Sequence, residues 1–197
     1  MSKFNETIFL TGFPGFIAGR LVKQLAKSDT QFFLLVQKSF IEKAMKEVEK
    51  IAAESKTPLE HFAIIEGDIT KENLGMSAED LQVVQDETTC VYHLAAVYDL
   101  AVAKSIGYAV NVEGTKNINE LVKKIKNLQR YNYISTCYVS GKRKGVVRED
   151  ELTHEAGVGA VHARHAPPRA APLRRHRLEQ SLRHTRLADH HVRRSIP

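Results

Sequence analysis

The sequence predicts an α/β fold in which a doubly wound parallel sheet is covered by helices on both faces. Short apolar runs alternate with amphipathic helical patterns, a glycine-rich turn follows the first run, and the 197 residues are 43% apolar and 26% charged. Right-handed crossovers between parallel strands place helices on both sides of such a sheet. This composition excludes a collagen, a disulfide-rich miniprotein and a wholly disordered chain.

Strands are predicted where short runs are rich in β-branched and aromatic residues and are bounded by Gly, Pro or polar clusters. These runs lie at residues 7–12, 31–36, 61–67, 90–95 and 131–137. Helices are predicted where apolar residues recur three and four positions apart, at residues 15–28, at 40–55 and around Ile118, Leu121, Val122 and Ile125. Ligands bind a doubly wound sheet at the carboxyl ends of its strands, so the residues after each run are the candidates for function.

The net charge of +6 is confined to the end of the chain. Residues 1–156 carry 20 basic and 21 acidic side chains, whereas residues 157–197 carry nine arginines, no lysine and two acidic side chains. The same end has no Phe, Tyr or Asn and holds six of the nine histidines and four of the six prolines. We therefore predict a domain over 1–156 and an irregular or partly helical tail over 157–197, disordered because it buries little apolar surface.

The composition of the tail has several explanations. The abrupt exchange of Lys for Arg and of Ile and Asn for Ala, Pro and His favours an altered reading frame or a fused terminus. A regulatory tail, an arginine-rich segment that binds phosphate backbones and a set of histidine metal ligands are the alternatives. Nucleic acid is not an expected partner. No metal site is predicted, because the histidines have no carboxylate or cysteine partners at fixed spacing.

The chain is expected to be cytoplasmic. No run approaches the roughly 18 to 20 apolar residues of a membrane span, and the start of the chain is too polar and acidic for a secretory signal. Cys90 and Cys137 are too few for a disulfide framework, so reduced thiols are predicted.

A glycine-rich turn after the first strand is the strongest functional motif. Residues 11–18 read Thr-Gly-Phe-Pro-Gly-Phe-Ile-Ala and open the first helix. Gly12 permits a tight turn, Gly15 lets the backbone approach a pyrophosphate, and Ala18 is small enough for close helix packing. Free N–H groups and the dipole at the start of the helix stabilise phosphate charge. The motif predicts a dinucleotide site; an ordinary turn that uses glycine for its geometry is the alternative.

Further motifs follow in the order and spacing of a known family. They lie at residues 67–70 with 73–77, at 92–96, at 111–115 and at 134–139. With the glycine turn, they make residues 6–153 resemble the extended short-chain dehydrogenase/reductases, and within these the thioester reductase and fatty acyl-CoA reductase branch, the male-sterility type. The resemblance implies a Rossmann domain that binds NAD(P). That domain is incomplete, because the later strands and substrate-binding part of the family have no counterpart in the sequence.

The resemblance implies the cofactor contacts. They are Thr11, Gly12, Phe13, Gly15, Phe16 and Ile17 in the glycine turn, Gln37 and Lys38 after the second strand, Asp68 and Ile69 after the third, Ala95 and Ala96 after the fourth, and Asn111 in the next helix. Asp68 is expected to accept from the adenine amino group, with Ile69 against the ring, and Asn111 to tie active-site backbone together. A solvated turn at Asp68 and an exposed side chain at Asn111 are the alternatives. His93 is expected to be a satisfied core histidine without a chemical role.

The end of the second strand favours NADP over NAD. An NAD site places an acidic side chain there, which accepts from the ribose 2′-hydroxyl. This chain has Val36, Gln37 and Lys38 instead. Lys38 is expected to pair with a 2′-phosphate; an ordinary solvated charge is the alternative.

The catalytic residues are only partly present. The resemblance implies hydride transfer between a nicotinamide and a carbonyl or thioester carbon, with Thr136 as the hydroxyl that holds the substrate oxygen and a Tyr-x-x-x-Lys pair for the proton. No tyrosine follows Tyr138 and no lysine follows Lys144. Tyr138 and Lys142 have the right separation in sequence, but they lie where a strand ends, and four extended residues span roughly 13 Å. The pair is predicted to be absent; a structural role is the alternative for Thr136.

These observations predict an NAD(P)-dependent oxidoreductase of acyl thioester or carbonyl substrates, with this chain inactive. A non-catalytic dinucleotide-binding module and a nucleotide-sugar epimerase or dehydratase are the alternatives. Without later neighbours, the fifth strand is expected to expose an apolar edge and to leave the domain marginally stable.

Overall fold

The computed structural model describes residues 4–98, 101–135 and 145–146, which contain one sheet of five strands. In chain order the strands are β1 (Glu6–Thr11), β2 (Thr30–Val36), β3 (Phe62–Glu66), β4 (Cys90–His93) and β5 (Arg130–Tyr133). Their order across the sheet is β3-β2-β1-β4-β5, and every neighbouring pair is parallel. The predicted doubly wound parallel sheet is confirmed. Its switch point lies between β1 and β4.

Helices cover both faces of the sheet. They are α1 (Phe16–Leu25), α2 (Ile41–Ser55), α3 (Ala78–Glu87), α4 (Lys104–Tyr108) and α5 (Thr115–Val122), and a π-helical segment, Ala109–Gly114, joins α4 to α5. Short 3₁₀ turns occupy Lys38–Phe40, Leu59–His61 and Glu72–Gly75. None of the helices in the described ranges has both the length and the apolar character that crossing a membrane requires.

The central strand β1 separates two apolar layers. Ile8 and Leu10 belong to one layer, where they meet Val22 of α1 and Val48 of α2, whereas Phe9 belongs to the other. The second layer also contains Val84 of α3 and Ile118 and Leu121 of α5. Because both faces of β1 are buried, Ile8, Phe9 and Leu10 follow one another without an alternation of apolar and polar residues.

Two predicted strands end earlier than expected. β4 stops at His93 rather than at residue 95, because the next free backbone donor, the N–H of Ala95, bonds to the Thr11 side chain instead of continuing the ladder. β5 stops at Tyr133, although the N–H of Ile134 still bonds to the carbonyl of His93 at 3.0 Å. The rest of the predicted fifth strand, residues 136–137, lies outside the described residues.

The helix α3 was not predicted from the sequence. Its apolar spacing is weak, and it contributes one fully buried residue, Val84. Its start carries a recognisable signal, because the Ser77 hydroxyl accepts from the backbone N–H of Asp80 at 3.0 Å. A serine followed three residues later by an acidic residue is typical of the start of a helix, so Ser77 and Asp80 are the sequence pattern that indicates α3.

The predicted apolar edge is wrong for the described part of β5. This strand reads Arg-Tyr-Asn-Tyr, so each of its side chains carries a polar group. Tyr131 donates its hydroxyl to Asn119 Oδ1 at 2.9 Å, and the Asn132 amide donates to the carbonyl of Val91 at 3.3 Å. Arg130 is exposed, the other three side chains of β5 are half-buried, and Tyr131 and Asn132 are hydrogen-bonded to neighbouring elements.

Candidate functional site

The glycine turn between β1 and α1 needs both of its glycines. Gly12 has φ +90°, and a Cβ placed on it would lie 2.9 Å from the backbone nitrogen of Ala95. The N–H of Gly15 closes the turn on the carbonyl of Gly12 at 2.8 Å, and a Cβ on Gly15 would lie 2.6 Å from that oxygen. The tight turn predicted for Gly12 is therefore present. The turn itself requires glycine at position 15. The close approach of a phosphate to Gly15 stays a prediction.

The residues after the turn divide between the core and the surface. Phe13 and Ala18 are buried with Val22, so they anchor the turn and the helix. Phe16 and Ile17 are 75% and 65% exposed at the start of α1, and the guanidinium of Arg20 lies 4.4 Å from the centre of the Phe16 ring. Gly19 faces α2, and a Cβ on it would make an ordinary contact of 3.5 Å with Glu47 Oε1.

The first turn of α1 is suited to an anion. Its cap, Gly15, supplies no side-chain hydrogen bond, and the first turn contains no acidic residue. The N–H groups at a helix start have no partners within the helix, and the helix dipole adds partial positive charge there. This turn lies after β1 and beside β4, at the switch point of the sheet.

A buried hydrogen-bond chain lies beneath the glycine turn. His93 is 1% exposed, and its Nδ1 lies 2.7 Å from Thr11 Oγ1. Its Nε2 lies 3.2 Å from Thr115 Oγ1, and its ring stacks on Tyr133 with the ring centres 5.5 Å apart. The Thr11 oxygen also accepts the N–H of Ala95 at 3.2 Å. His93 is thus a hydrogen-bonded core histidine, as predicted.

Asn111 fastens the segment after β4 to the π-helical segment. Its Oδ1 accepts the N–H of Val97 and its Nδ2 donates to the carbonyl of Val97, both at 2.8 Å. This is the kind of backbone contact predicted for Asn111. Ala95 and Ala96 precede the contact; Ala95 is half-buried and Ala96 is exposed.

Asp68 closes the loop that follows β3. Its Oδ1 accepts from the backbone N–H and the hydroxyl of Thr70, at 2.9 and 2.8 Å. Burial by itself raises the pKa of the carboxyl, but the hydrogen bonds from Thr70 and Gln37 and the charge of Lys71 outweigh it and hold the pKa below its ordinary value. The contact with Gln37 joins the loop after β3 to the end of β2, and no sequence pattern predicts it.

Ile69 does not present its side chain to an open surface. It is 6% exposed, and a Cβ placed on Gly114 would lie 2.7 Å from Ile69 Cδ1, so the two residues are in close contact. Asn117 of α5 holds the same loop by donating to the carbonyl of Ile69 at 2.8 Å. The Ile69 side chain fills the space beside Gly114, and its expected packing against an adenine ring stays a prediction.

Of the remaining predicted residues, some are described by the structure and others are not. Gln37 and Lys38 follow β2 and are exposed, with Lys38 at the start of a 3₁₀ turn. Thr136, Tyr138 and Lys142 lie outside the described residues. The structure therefore brings together the residues after β1 and β4, places Gln37 beside Asp68, and leaves the predicted catalytic residues undescribed.

Cys90 is buried near the start of β4. Burial raises the pKa of its thiol to about 11, so the thiolate is scarce at neutral pH and the residue is a poor nucleophile. Among the described residues, no three His, Cys, Asp or Glu side chains are grouped closely enough to hold a metal ion.

A cleft of about 230 Å³ lies near α3 and α5. It is lined by Glu72, Asn73, Leu81, Gln85, Asn117, Glu120, Leu121 and Lys124. None of the predicted site residues lines this cleft, so it is not part of the candidate site.

Comparison with known proteins places this geometry in a family. A family model described as male sterility protein matches residues 10–191. The match extends past the predicted boundary at residue 156. Fatty acyl-CoA reductase 1 of Arabidopsis thaliana is 28% identical over 165 residues, which are 74% of this chain and 34% of that protein. The chain thus spans about a third of the length of this curated relative.

Solved structures share the fold. The terminal R domain of a myxalamid PKS-NRPS biosynthetic pathway superposes with a TM-score of 0.65 and 27% identity, over 80% of this chain and 42% of that one. UDP-glucuronic acid 4-epimerase of Bacillus cereus, in complex with UDP-glucuronic acid and NAD, superposes with a TM-score of 0.55 and 25% identity, over 79% of this chain and 48% of that one.

Proposed function

The chain belongs to the male sterility protein family, and from this premise we propose that it binds NADP(H) as the dinucleotide-binding part of a reductase of acyl thioesters or carbonyls. The observation that carries the proposal is the glycine turn at the switch point, with Gly12 at φ +90° and no capping side chain at the start of α1. That arrangement suits a diphosphate. The Arabidopsis fatty acyl-CoA reductase among its relatives supports the acyl substrate class.

The chain's own residues have distinct parts in this proposal. The N–H groups of Phe16 and Ile17 bind the diphosphate at the start of α1. The carboxylate of Asp68, which hydrogen bonds keep ionised, accepts from the adenine amino group. Gln37 and Lys38 face the ribose, and Lys38 pairs with a 2′-phosphate. An acidic residue that would select NAD is missing at this position, so we propose NADP as the preferred coenzyme.

The proposed chemistry uses residues beyond the described sheet. When bound, the reduced nicotinamide supplies a hydride to the carbonyl or thioester carbon. Thr136 follows β5 in the sequence, and its hydroxyl holds the substrate oxygen. Asn111 keeps the segment after β4 in place through Val97.

Titration calorimetry of the 197-residue chain with NADPH and with NADH tests the proposal. We expect saturable binding with a lower Kd for NADPH. Gly12→Ala should weaken it, because its Cβ would collide with the Ala95 backbone, and Gly107→Ala is the matched control, because its Cβ would make an ordinary 3.7 Å contact with Val102. The absence of heat with either coenzyme would refute the proposal.

A binding module without turnover is the second candidate. It is favoured by one observation, the lack of any tyrosine after Tyr138 and of any lysine after Lys144. NADPH oxidation with a long-chain acyl-CoA separates the two candidates, since the module binds the coenzyme but does not consume it. Incubation with a UDP-sugar tests the epimerase alternative. An epimerase would convert the sugar without net consumption of the coenzyme, because it regenerates its NAD. Cell fractionation tests the cytoplasmic location that we propose for either.

A further inference from the structure

His93 joins three elements at the carboxyl end of the sheet. The strand register puts Thr11, His93 and Tyr133 in one row across β1, β4 and β5. The imidazole then reaches Thr11 on one side through Nδ1 and Thr115 of α5 on the other through Nε2. The histidine therefore links the strand that leads into the glycine turn to the helix that follows the π-helical segment.

The direction of each hydrogen bond follows from Thr115. Its hydroxyl has one proton, which it donates to the carbonyl of Asn111 at 2.9 Å, since a carbonyl only accepts. Thr115 Oγ1 is therefore the acceptor toward His93, and Nε2 carries a proton. In a neutral ring with Nε2 protonated, Nδ1 is an acceptor, so the Thr11 hydroxyl donates to it.

This order satisfies four hydrogen bonds at once, and the Thr115 hydroxyl has Tyr133 as a further hydrogen-bond partner. The Ala95 N–H donates to the Thr11 oxygen, the Thr11 hydroxyl to His93, His93 to Thr115, and Thr115 to the carbonyl of Asn111. Reversing the histidine tautomer would turn Nδ1 into a donor and Nε2 into an acceptor, and Thr115 could then bond to Nε2 only by withdrawing its one proton from the carbonyl of Asn111. A buried hydrogen bond would be lost. The tautomer is therefore coupled to the geometry of the whole series of hydrogen bonds from Ala95 to Asn111.

The two ends of this series of hydrogen bonds are parts of the candidate site. Gly12 follows Thr11 directly and touches the backbone at Ala95, and Asn111 holds the backbone of Val97. We propose that His93, as the neutral Nε2–H tautomer, is a positioning residue that holds the glycine turn and the segment after β4 at the spacing that a bound dinucleotide needs. This inference rests on the proposed function, and it adds a residue that acts only through Thr11 and Thr115.

The tautomer has a direct spectroscopic test. The full chain is prepared with ¹⁵N in the histidine rings, and the His93 signals are identified as those lost in His93→Gln. At neutral pH we expect an unprotonated Nδ1 and a protonated Nε2. A protonated Nδ1, in a neutral or a charged ring, would overturn the proposal without reference to any ligand.

The positioning role is tested with three threonine variants of the full chain. Thr115→Val removes the acceptor for His93 and should raise the Kd for NADPH about tenfold, equivalent to about 1.4 kcal/mol. Thr115→Ser keeps the hydroxyl and should restore the original Kd. Thr88→Val is the matched control, because the Thr88 hydroxyl is buried and makes no hydrogen bond to any described residue.

The outcomes separate this inference from the proposed function. If Thr115→Val lowers the melting temperature but leaves the Kd for NADPH unchanged, His93 has only a structural role and the proposal is overturned. If the original chain binds no NADPH, the proposed function and the positioning role both fail. The tautomer is still decided by the histidine spectrum in that case.

Discussion

The two ends of the candidate dinucleotide site are held in different ways. The glycine turn depends on buried contacts between distant elements: Thr11 is fully buried, and its partner His93 lies 82 residues away in the sequence. At the other end, Gln37 and Lys38 are exposed, and Asp68 is held mainly by Thr70 in its own loop. The first end is buried within the packing of the sheet, whereas the second lies nearer the surface, where side-chain hydrogen bonds from Thr70, Gln37 and Asn117 hold the loop after β3.

This difference separates stability from selectivity. A change at the glycine turn alters a backbone path on which the core also depends, so it should affect folding and binding together. A change at the exposed end alters the groups that meet the nucleoside and leaves the core intact. The expected effects therefore decrease from the glycine turn toward Lys38.

Gly12→Ala should have the largest effect. A side chain at φ +90° is strained, and its Cβ would lie 2.9 Å from backbone atoms of Leu94 and Ala95. We expect a loss of about 3 kcal/mol in the free energy of unfolding, measured in urea. Gly107→Ala, at a helical glycine with room for a methyl group, should change it by less than about 1 kcal/mol. Equal losses in the two variants would contradict the special requirement for glycine at position 12.

Asn111→Ala should have the next largest effect. It removes both hydrogen bonds to Val97 and leaves that backbone without its partner, so we expect a loss of about 2 kcal/mol. Asn127→Ala is the control, since it removes one exposed hydrogen bond to the carbonyl of Asp86 and should cost less than about 1 kcal/mol. The prediction is contradicted if urea denaturation shows the exposed variant to be the less stable of the two.

Asp68→Asn should change the pH dependence of stability more than stability at neutral pH. Burial raises the pKa of Asp68, but the hydrogen bonds from Thr70 and Gln37 and the charge of Lys71 together outweigh it and hold the pKa below its ordinary value of 3.8. A carboxyl with a lowered pKa stabilises the fold above that ordinary value, and the contribution is lost as the pH falls through the lower, folded value. Urea midpoints measured from about pH 5 to about pH 2 should therefore fall less steeply in the variant. An unchanged slope would show that Asp68 does not contribute.

Lys38→Ala should have the smallest effect, confined to coenzyme choice. An exposed charge pair is worth up to about 1 kcal/mol, so the Kd for NADPH should rise up to about fivefold. The Kd for NADH and the melting temperature should stay unchanged, because Lys38 is exposed and NADH has no 2′-phosphate. Lys27→Ala, another exposed lysine, is the control for a general loss of positive charge. A parallel rise for both coenzymes would argue against contact with the 2′-phosphate.

The sheet and the glycine turn were predictable because their signals are local. Each strand is a short apolar run between turn residues, and the turn between β1 and α1 needs glycine for reasons visible in a few residues. The partners of His93 were not predictable. Thr11 lies 82 residues away and is brought beside His93 by the strand register, and Thr115 lies 22 residues away on α5, which packs on the sheet. Asn111 was found through family resemblance, since nothing in its own helix points to Val97.

The same reasoning explains why the ends of β4 and the contact of Gln37 with Asp68 were missed. β4 ends because the N–H of Ala95 bonds to the side chain of Thr11 on β1, and no local sequence pattern predicts this hydrogen bond. Gln37 meets Asp68 because β2 and β3 are neighbours with aligned ends, Val36 opposite Glu66. Such contacts depend on register, which is set by the whole sheet.

The central place of β1 has a consequence for synthesis on the ribosome. β1 leaves the exit tunnel before the other four strands of the sheet, and β2, one of its neighbours, follows after a single helix. Its other neighbour, β4, appears only after α2, β3 and α3 have been made. Until then one backbone edge of Ile8, Phe9 and Leu10 stays open to pairing with another nascent chain. A chain stalled before Cys90 should therefore depend on chaperones more than a chain stalled after His93.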